Sequence, residues 1–278
     1  MYNRQNIKNI PAYVICLDRK RKERCDINVP KIKEMFPKTT WVNAVDGNEI
    51  DYLNEDRLSI YAKYNIETKN QSSIVNISNQ NEYACALSHQ KIWKEIIKNN
   101  IPSIVIEDDI NIEPKADEIL QAIELIPNNI DFASVVYSNN DNNKMYDNNW
   151  FNIENISFSG MMLYLITPSG AKKLLKYFFP VTVCVDRYIG YISKIDTSFI
   201  GICYHKPLYT LFEQFIGELN STLDHGINVK KILPENNSFY VILVIIIFTI
   251  IIGLIILVIY NNNKHKKCKI QLKKCKKK

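Results

Sequence analysis

Glu107, Asp108 and Asp109 follow directly on the apolar run Ile104-Val105-Ile106. Three adjacent carboxylates repel one another, and a divalent cation is their natural compensation. Mg²⁺ and Mn²⁺ take oxygen ligands, often one or two carboxylates together with substrate phosphates. A short continuous apolar run is the pattern of a strand covered on both faces. In open α/β sheets, ligands bind outside the carboxyl ends of such strands. Side chains alternate faces along a strand, so all three acids converge only if the chain turns there. Asp109 is the favoured metal ligand, then Asp108, with Glu107 as the third candidate. The plain alternative is a solvated acidic turn.

Other polar residues stand out by position. Asp186 follows the apolar run Val181-Thr182-Val183-Cys184-Val185, where it could serve as a general base or as a helix N-cap. Asp46 precedes Gly47 and reads either as a turn former or as a ligand contact. His89 lies on an apolar helix face, either as a satisfied core histidine or as a site residue. The seven cysteines are scattered and form no CxxC pair, which predicts reduced core residues rather than a zinc site or a disulfide framework.

The elements that must position these residues alternate between strand and helix. Residues 12–17 predict a first strand and residues 21–36 a helix weakened near Pro30. A second strand is predicted over 41–45, closed by the Asp46-Gly47 turn. Residues 51–80 are polar and predict a loop region with short helices. From Glu82 to Lys98, Cys85, His89, Ile92, Trp93 and Ile96 form one helical face. Strands follow at 103–107, 131–137, 160–166 and 200–205, with an Asn-rich loop over 138–149. Thr167-Pro168 supplies an N-cap and first-turn proline for a helix over 169–179. This alternation is the pattern of an α/β domain.

The chain of 278 residues is 46% apolar, enough for a substantial core. Its formal charge of +6 is misleading, because nine lysines fall within residues 264–278. The remainder is slightly acidic, which argues against a general nucleic-acid-binding protein. Phe239 to Tyr260 carries no charge and is long enough to cross the ~30 Å hydrocarbon core of a bilayer, with tyrosines near both ends. The expectation is a single-pass C-terminal transmembrane helix. Its orientation cues conflict. The N-terminus lacks a signal-peptide core, which tilts the balance toward a cytosolic body, whereas the lysine tail favours a cytosolic tail.

Several segments, in order, resemble glycosyltransferase family 25. They are YVICLDRKRKER (13–24), WVNAVDG (41–47), EYACALSHQKIW (82–93), SIVIEDD (103–109), LITPSGAKKLL (165–175), Val185-Asp186-Arg187-Tyr188 and His205-Lys206-Pro207-Leu208. The family usually has Asn where this chain has Cys16. The resemblance implies a GT-A-like nucleotide-sugar-binding sheet flanked by helices. It also implies transfer of galactose or glucose from a UDP-sugar, with Mn²⁺ or Mg²⁺ as cofactor. The acceptor would be a hydroxyl on a glycan or protein. By the same resemblance Asp18, Arg19, Asp46, Ser88 and His89 belong with the donor-binding residues, and Arg24 lies near them. Asp109, Asp108 and Glu107 would hold the metal, and Asp186 would be the base of an inverting reaction.

The expected organisation is therefore a GT-A-like domain over 1–235, a transmembrane helix over 239–260 and a Lys-rich tail over 261–278. Two other classes compete. A glycoside hydrolase would use paired carboxylates without metal. A catalytically inactive, membrane-anchored binding or scaffold protein would keep the fold alone, and its lysine tail could hold acidic lipid surfaces. Metal-dependent turnover of a UDP-sugar separates the transferase from both.

Overall fold

The structure, a computed structural model, describes residues 4–70, 76–137, 144–153 and 158–206. The chain opens with a single helical turn, α1 (Arg4–Ile7), followed by β1 (Ala12–Cys16), α2 (Asp18–Met35) and β2 (Thr39–Asn43). Two 3₁₀ turns lead to α3 (Ile60–Thr68), α4 (Gln80–Asn99) and β3 (Ser103–Glu107). Then come α5 (Ala116–Glu124), β4 (Phe132–Val136), β5 (Trp150–Asn152) and β6 (Leu163–Ile166). The described part closes with α6 (Pro168–Lys176), α7 (Val185–Ile195) and β7 (Gly201–Tyr204).

The seven strands form one mixed sheet in the order β2-β1-β3-β6-β4-β7-β5. Strands β2, β1 and β3 run parallel, while β6 is antiparallel to both β3 and β4. Alternation along the strands divides the core. Ala12, Val14 and Cys16 of β1 and Ile104 and Ile106 of β3 pack toward α2 and α5. Tyr13, Ile15 and Val105 pack on the opposite face, with Leu87, Ile92, Trp93 and Ile96 of α4. Both layers are apolar, which is why the β3 run has no polar alternation.

Local chemistry explains the helices nearest the site. Cys25, Val29, Ile32 and Phe36 recur at helical spacing and are buried. Their burial keeps α2 continuous through Pro30, where weakening was expected, although the ring removes one backbone N–H. Helix α4 starts with a capping box: Asn79 accepts from the Glu82 amide, and the Glu82 side chain reaches back to the Asn79 amide. Thr167 caps α6 as expected, its hydroxyl accepting from the Gly170 amide at 3.0 Å.

Other expectations shift. Strand β2 ends at Asn43, two residues early, because it follows the β1 register, which pairs Cys16 with Asn43. Strand β5 (Trp150–Asn152), which directly follows the Asn-rich stretch, was not anticipated; three residues long, it adds to the sheet edge against β7. Cys16 and Cys25 are joined in a disulfide, contrary to the expectation of reduced cysteines. The return from β1 into α2 brings their Cα atoms to 6.1 Å, a proximity that spacing alone does not reveal. Phe239–Tyr260 and the lysine tail lie outside the described residues, as does the first half of the predicted 138–149 loop, residues 138–143. Among the described residues no helix is long and apolar enough to cross a membrane.

Candidate active site

The carboxyl ends of β1 and β3, the loop after β2 and helix α4 enclose a cavity of about 120 Å³. Glu107, Asp108 and Asp109 all border it. Their side chains nonetheless diverge as the pleat requires. Glu107 continues the parity of Val105 and faces α4, where its Oε1 lies 3.1 Å from His89 Nε2. Asp108 continues the parity of Ile106 and faces α2, with Oδ2 3.5 Å from Cys25 Sγ. Because Cys25 is disulfide-bonded, that approach is a contact and not a donated hydrogen bond. Beyond Glu107 the strand gives way to a turn, which brings Asp109 back to the cavity wall in a buried position. Asn28 of α2 holds this turn, its Nδ2 donating to Asp108 O at 2.9 Å and reaching Ile110 O at 3.4 Å. Sequence reasoning missed Asn28, which carries no signal beyond its place in a polar helix.

The opposite wall is built by Ser88 and Gly47. Ser88 Oγ accepts from the Val45 amide at 2.9 Å and donates to Ala84 O at 2.8 Å, tying the β2 loop to α4. Asp46 is buried beside it, and its Oδ1 accepts from the Asn48 amide at 2.9 Å, the geometry of a turn former. A Cβ on Gly47 would come within 2.6 Å of Asn81 Oδ1 and 2.9 Å of the Gln80 carbonyl. Only glycine lets the loop approach the α4 N-terminus this closely. The backbone of Asp18 and Arg19 starts α2 just beyond the cavity-lining Leu17, whereas their side chains and that of Arg24 lie outside the described residues.

His89 is fully buried, with Nδ1 2.9 Å from the Tyr164 hydroxyl. Burial holds its imidazole down to about 3, against the opposing pull of Asp186. Its contact with Glu107 is therefore a hydrogen bond from a neutral ring rather than an ion pair. Cys85 borders the same cavity, and burial, reinforced by Glu107 and Asp186, pushes its thiol well above the usual range. It remains a thiol near neutral pH and is a poor nucleophile.

Asp186 sits in the first turn of α7. Its Oδ2 accepts from the Gly160 amide at 3.0 Å and its Oδ1 from the Arg187 amide at 2.7 Å. Its charge acts on both Cys85 and His89, two residues of the cavity lining, although Asp186 itself is not part of that lining.

Residues 9–189 match the model of glycosyltransferase family 25, described as an LPS biosynthesis protein. The chain belongs to this family. No curated protein matches it. Family 25 membership makes the chain a glycosyltransferase, and a nucleotide-sugar donor is the substrate class this activity requires.

The donor set fits a hard divalent cation in kind, since Glu107, Asp108 and Asp109 all line the cavity and offer carboxylate oxygens. Among the described residues two groups bring three possible ligand atoms within 4.8 Å: Cys85, His89 and Glu107, and Cys16, Cys25 and Asp108. The second has its thiols locked in the disulfide. The first is mixed in character and already closed by the His89–Glu107 hydrogen bond.

Proposed function

We propose that this family 25 enzyme has a GT-A-like domain over 1–235 and moves galactose or glucose from a UDP-sugar to a hydroxyl on a glycan or protein, with inversion. The supporting observation is that Glu107 and Asp109, at the end of β3, line one cavity with Cys85 and His89, the two groups on which the charge of Asp186 acts. In this reading Glu107 and Asp109, with Asp108 beside them, would hold Mn²⁺ or Mg²⁺, which would supply Lewis-acid compensation for the charge on departing UDP. Asp186 takes the proton of the acceptor hydroxyl as that oxygen bonds to the anomeric carbon and the bond to UDP breaks. Two backbone amides hold the Asp186 carboxylate in a fixed orientation, as a positioned base requires. Asp18 and Arg19 open α2 beside the cavity, where the arginine suits a bidentate phosphate contact. The β2 loop carrying Asp46 and fastened by Ser88 supplies the opposite wall of the donor site.

The hydropathy of Phe239–Tyr260 supports a C-terminal membrane anchor, testable by extraction of the full chain from membranes at alkaline pH.

The test of activity uses the full chain in detergent with a panel of UDP-sugars, measuring UDP release with Mn²⁺ and with EDTA. Manganese-dependent release from one donor, lost in Asp109→Ala, supports the transferase and names its sugar. No release, joined to no UDP binding by calorimetry, favours a scaffold that retains only the fold.

A further inference from the structure

Behind Glu107 a buried chain of hydrogen bonds crosses from α4 to β6 and back. Trp93 Nε1 lies 3.0 Å from the Tyr164 hydroxyl oxygen, which lies 2.9 Å from His89 Nδ1. His89 Nε2 in turn lies 3.1 Å from Glu107 Oε1. Trp93, Tyr164 and His89 are each fully buried, whereas the Glu107 side chain is 21% exposed and borders the cavity.

The chemistry of these groups gives the chain a direction. An indole N–H can only donate, so Trp93 donates to Tyr164. The Tyr164 phenol, kept protonated by burial, donates its own hydrogen to His89 Nδ1. A neutral ring whose Nδ1 accepts carries its proton on Nε2, and that proton meets the carboxylate of Glu107. The opposite tautomer would set a lone pair of Nε2 against the carboxylate and take from the Tyr164 hydroxyl hydrogen its acceptor on His89. Neighbouring rings hold the chain in place. Phe132 stacks on Tyr164 at 4.8 Å between centroids, and Trp93 meets Phe178 edge-on at 5.4 Å.

We propose that Trp93, Tyr164 and His89 are positioning residues that fix His89 as its Nε2–H tautomer and thereby aim the Glu107 carboxylate into the donor site. The inference rests on the reading of Glu107 and Asp109 as the metal-binding pair. It assigns His89 a duty apart from touching the nucleotide, since both of its ring nitrogens face protein partners. Sequence spacing places His89 and Trp93 on one helix face, but gives no hint that Tyr164, 71 positions beyond Trp93, lies between their partners.

The test has two readouts on the full chain in detergent. Long-range ¹H–¹⁵N spectra of the metal-free protein, labelled at histidine, report the tautomer of His89. Mn²⁺ titration followed by the paramagnetic signal of the free ion reports affinity, in the parent, Tyr164→Phe, His89→Gln and Asp109→Ala. The expected parent spectrum is the neutral Nε2–H form. Tyr164→Phe should lose that fixed tautomer and weaken Mn²⁺ binding by about 10–100-fold, the usual effect of removing a partner behind a metal ligand. His89→Gln keeps an N–H for Glu107 and should retain tighter binding than Tyr164→Phe. If Tyr164→Phe does not fold, comparison of His89→Gln with His89→Ala carries the same test.

An Nδ1–H or doubly protonated ring in the parent overturns the proposal. So does parent-like Mn²⁺ affinity in Tyr164→Phe. If the parent takes up no Mn²⁺ and matches Asp109→Ala, the metal reading itself fails and takes the positioning duty with it. A parent that binds Mn²⁺ while Tyr164→Phe binds it equally well sinks the positioning chain alone.

Discussion

Glu107 and Asp108 are consecutive acids at the end of one strand, yet the molecule treats them as members of different regions. Glu107 turns to the α4 face, where a buried histidine donates to it and the cavity opens beside it. Asp108 turns to the α2 face, against the Cys16–Cys25 disulfide and the turn held by Asn28. The α4 face concentrates the groups that could do chemistry, and the α2 face braces the turn that presents them. Identical charge at neighbouring positions therefore says little about shared duty, because the pleat sends alternate side chains to different layers.

The largest expected effect tests that division directly. Glu107→Gln should lower metal-dependent turnover of the UDP-sugar by on the order of 100-fold, whereas Asp108→Asn should cost less than about tenfold. Steady-state kinetics of both variants under one set of conditions decides it. Equal losses would mean that the two faces work as one site.

Next in size is the disulfide of the bracing face. Cys25→Ser removes a cross-link between residues nine apart in sequence, and should lower stability by about 2–3 kcal/mol. Turnover measured below the melting range should change far less. A loss of turnover as large as that of Glu107→Gln would show that the α2 face takes part in chemistry.

Gly47→Ala probes the wall opposite the acids. Its Cβ has no room against Asn81 and Gln80, so the loop must shift, at a cost of about 1–3 kcal/mol. The expected kinetic signature is a raised KM for the donor with a smaller change in kcat. A fall in kcat alone would place the strain elsewhere.

The remaining prediction is a pH dependence on the α4 face. His89 is held at about 3 in the folded protein, against about 6.5 when unfolded. Between those values the unfolded chain binds the additional proton, so stability is fully present above about pH 6.5 and is lost as pH falls toward 3. His89→Gln should flatten that part of the acid-denaturation curve. An unchanged slope would show that the ring titrates normally in the folded state.

Much of the scaffold was legible in the chain. The Ile104–Ile106 run, the Thr167-Pro168 cap and the helical face from Cys85 to Ile96 each encode local structure through spacing and backbone preference, and each forms as expected. The acidic residues were legible as a strand end, since they follow directly on an apolar run, and all three line the cavity. Less legible were β5, too short to show alternation, and Asp186, whose held carboxylate depends on the distant Gly160 amide.

By itself the sequence determined the α/β alternation, the family and the strand end where the acids stand. Those features follow from periodicity, from caps and from residue order, which act over a few positions along the chain. Only the tertiary structure decided which acid faces which layer, that Cys16 meets Cys25, and that Tyr164 stands between Trp93 and His89. Such pairings are set by strand register and by the packing of α4 across the sheet, which bring together residues that no local pattern relates.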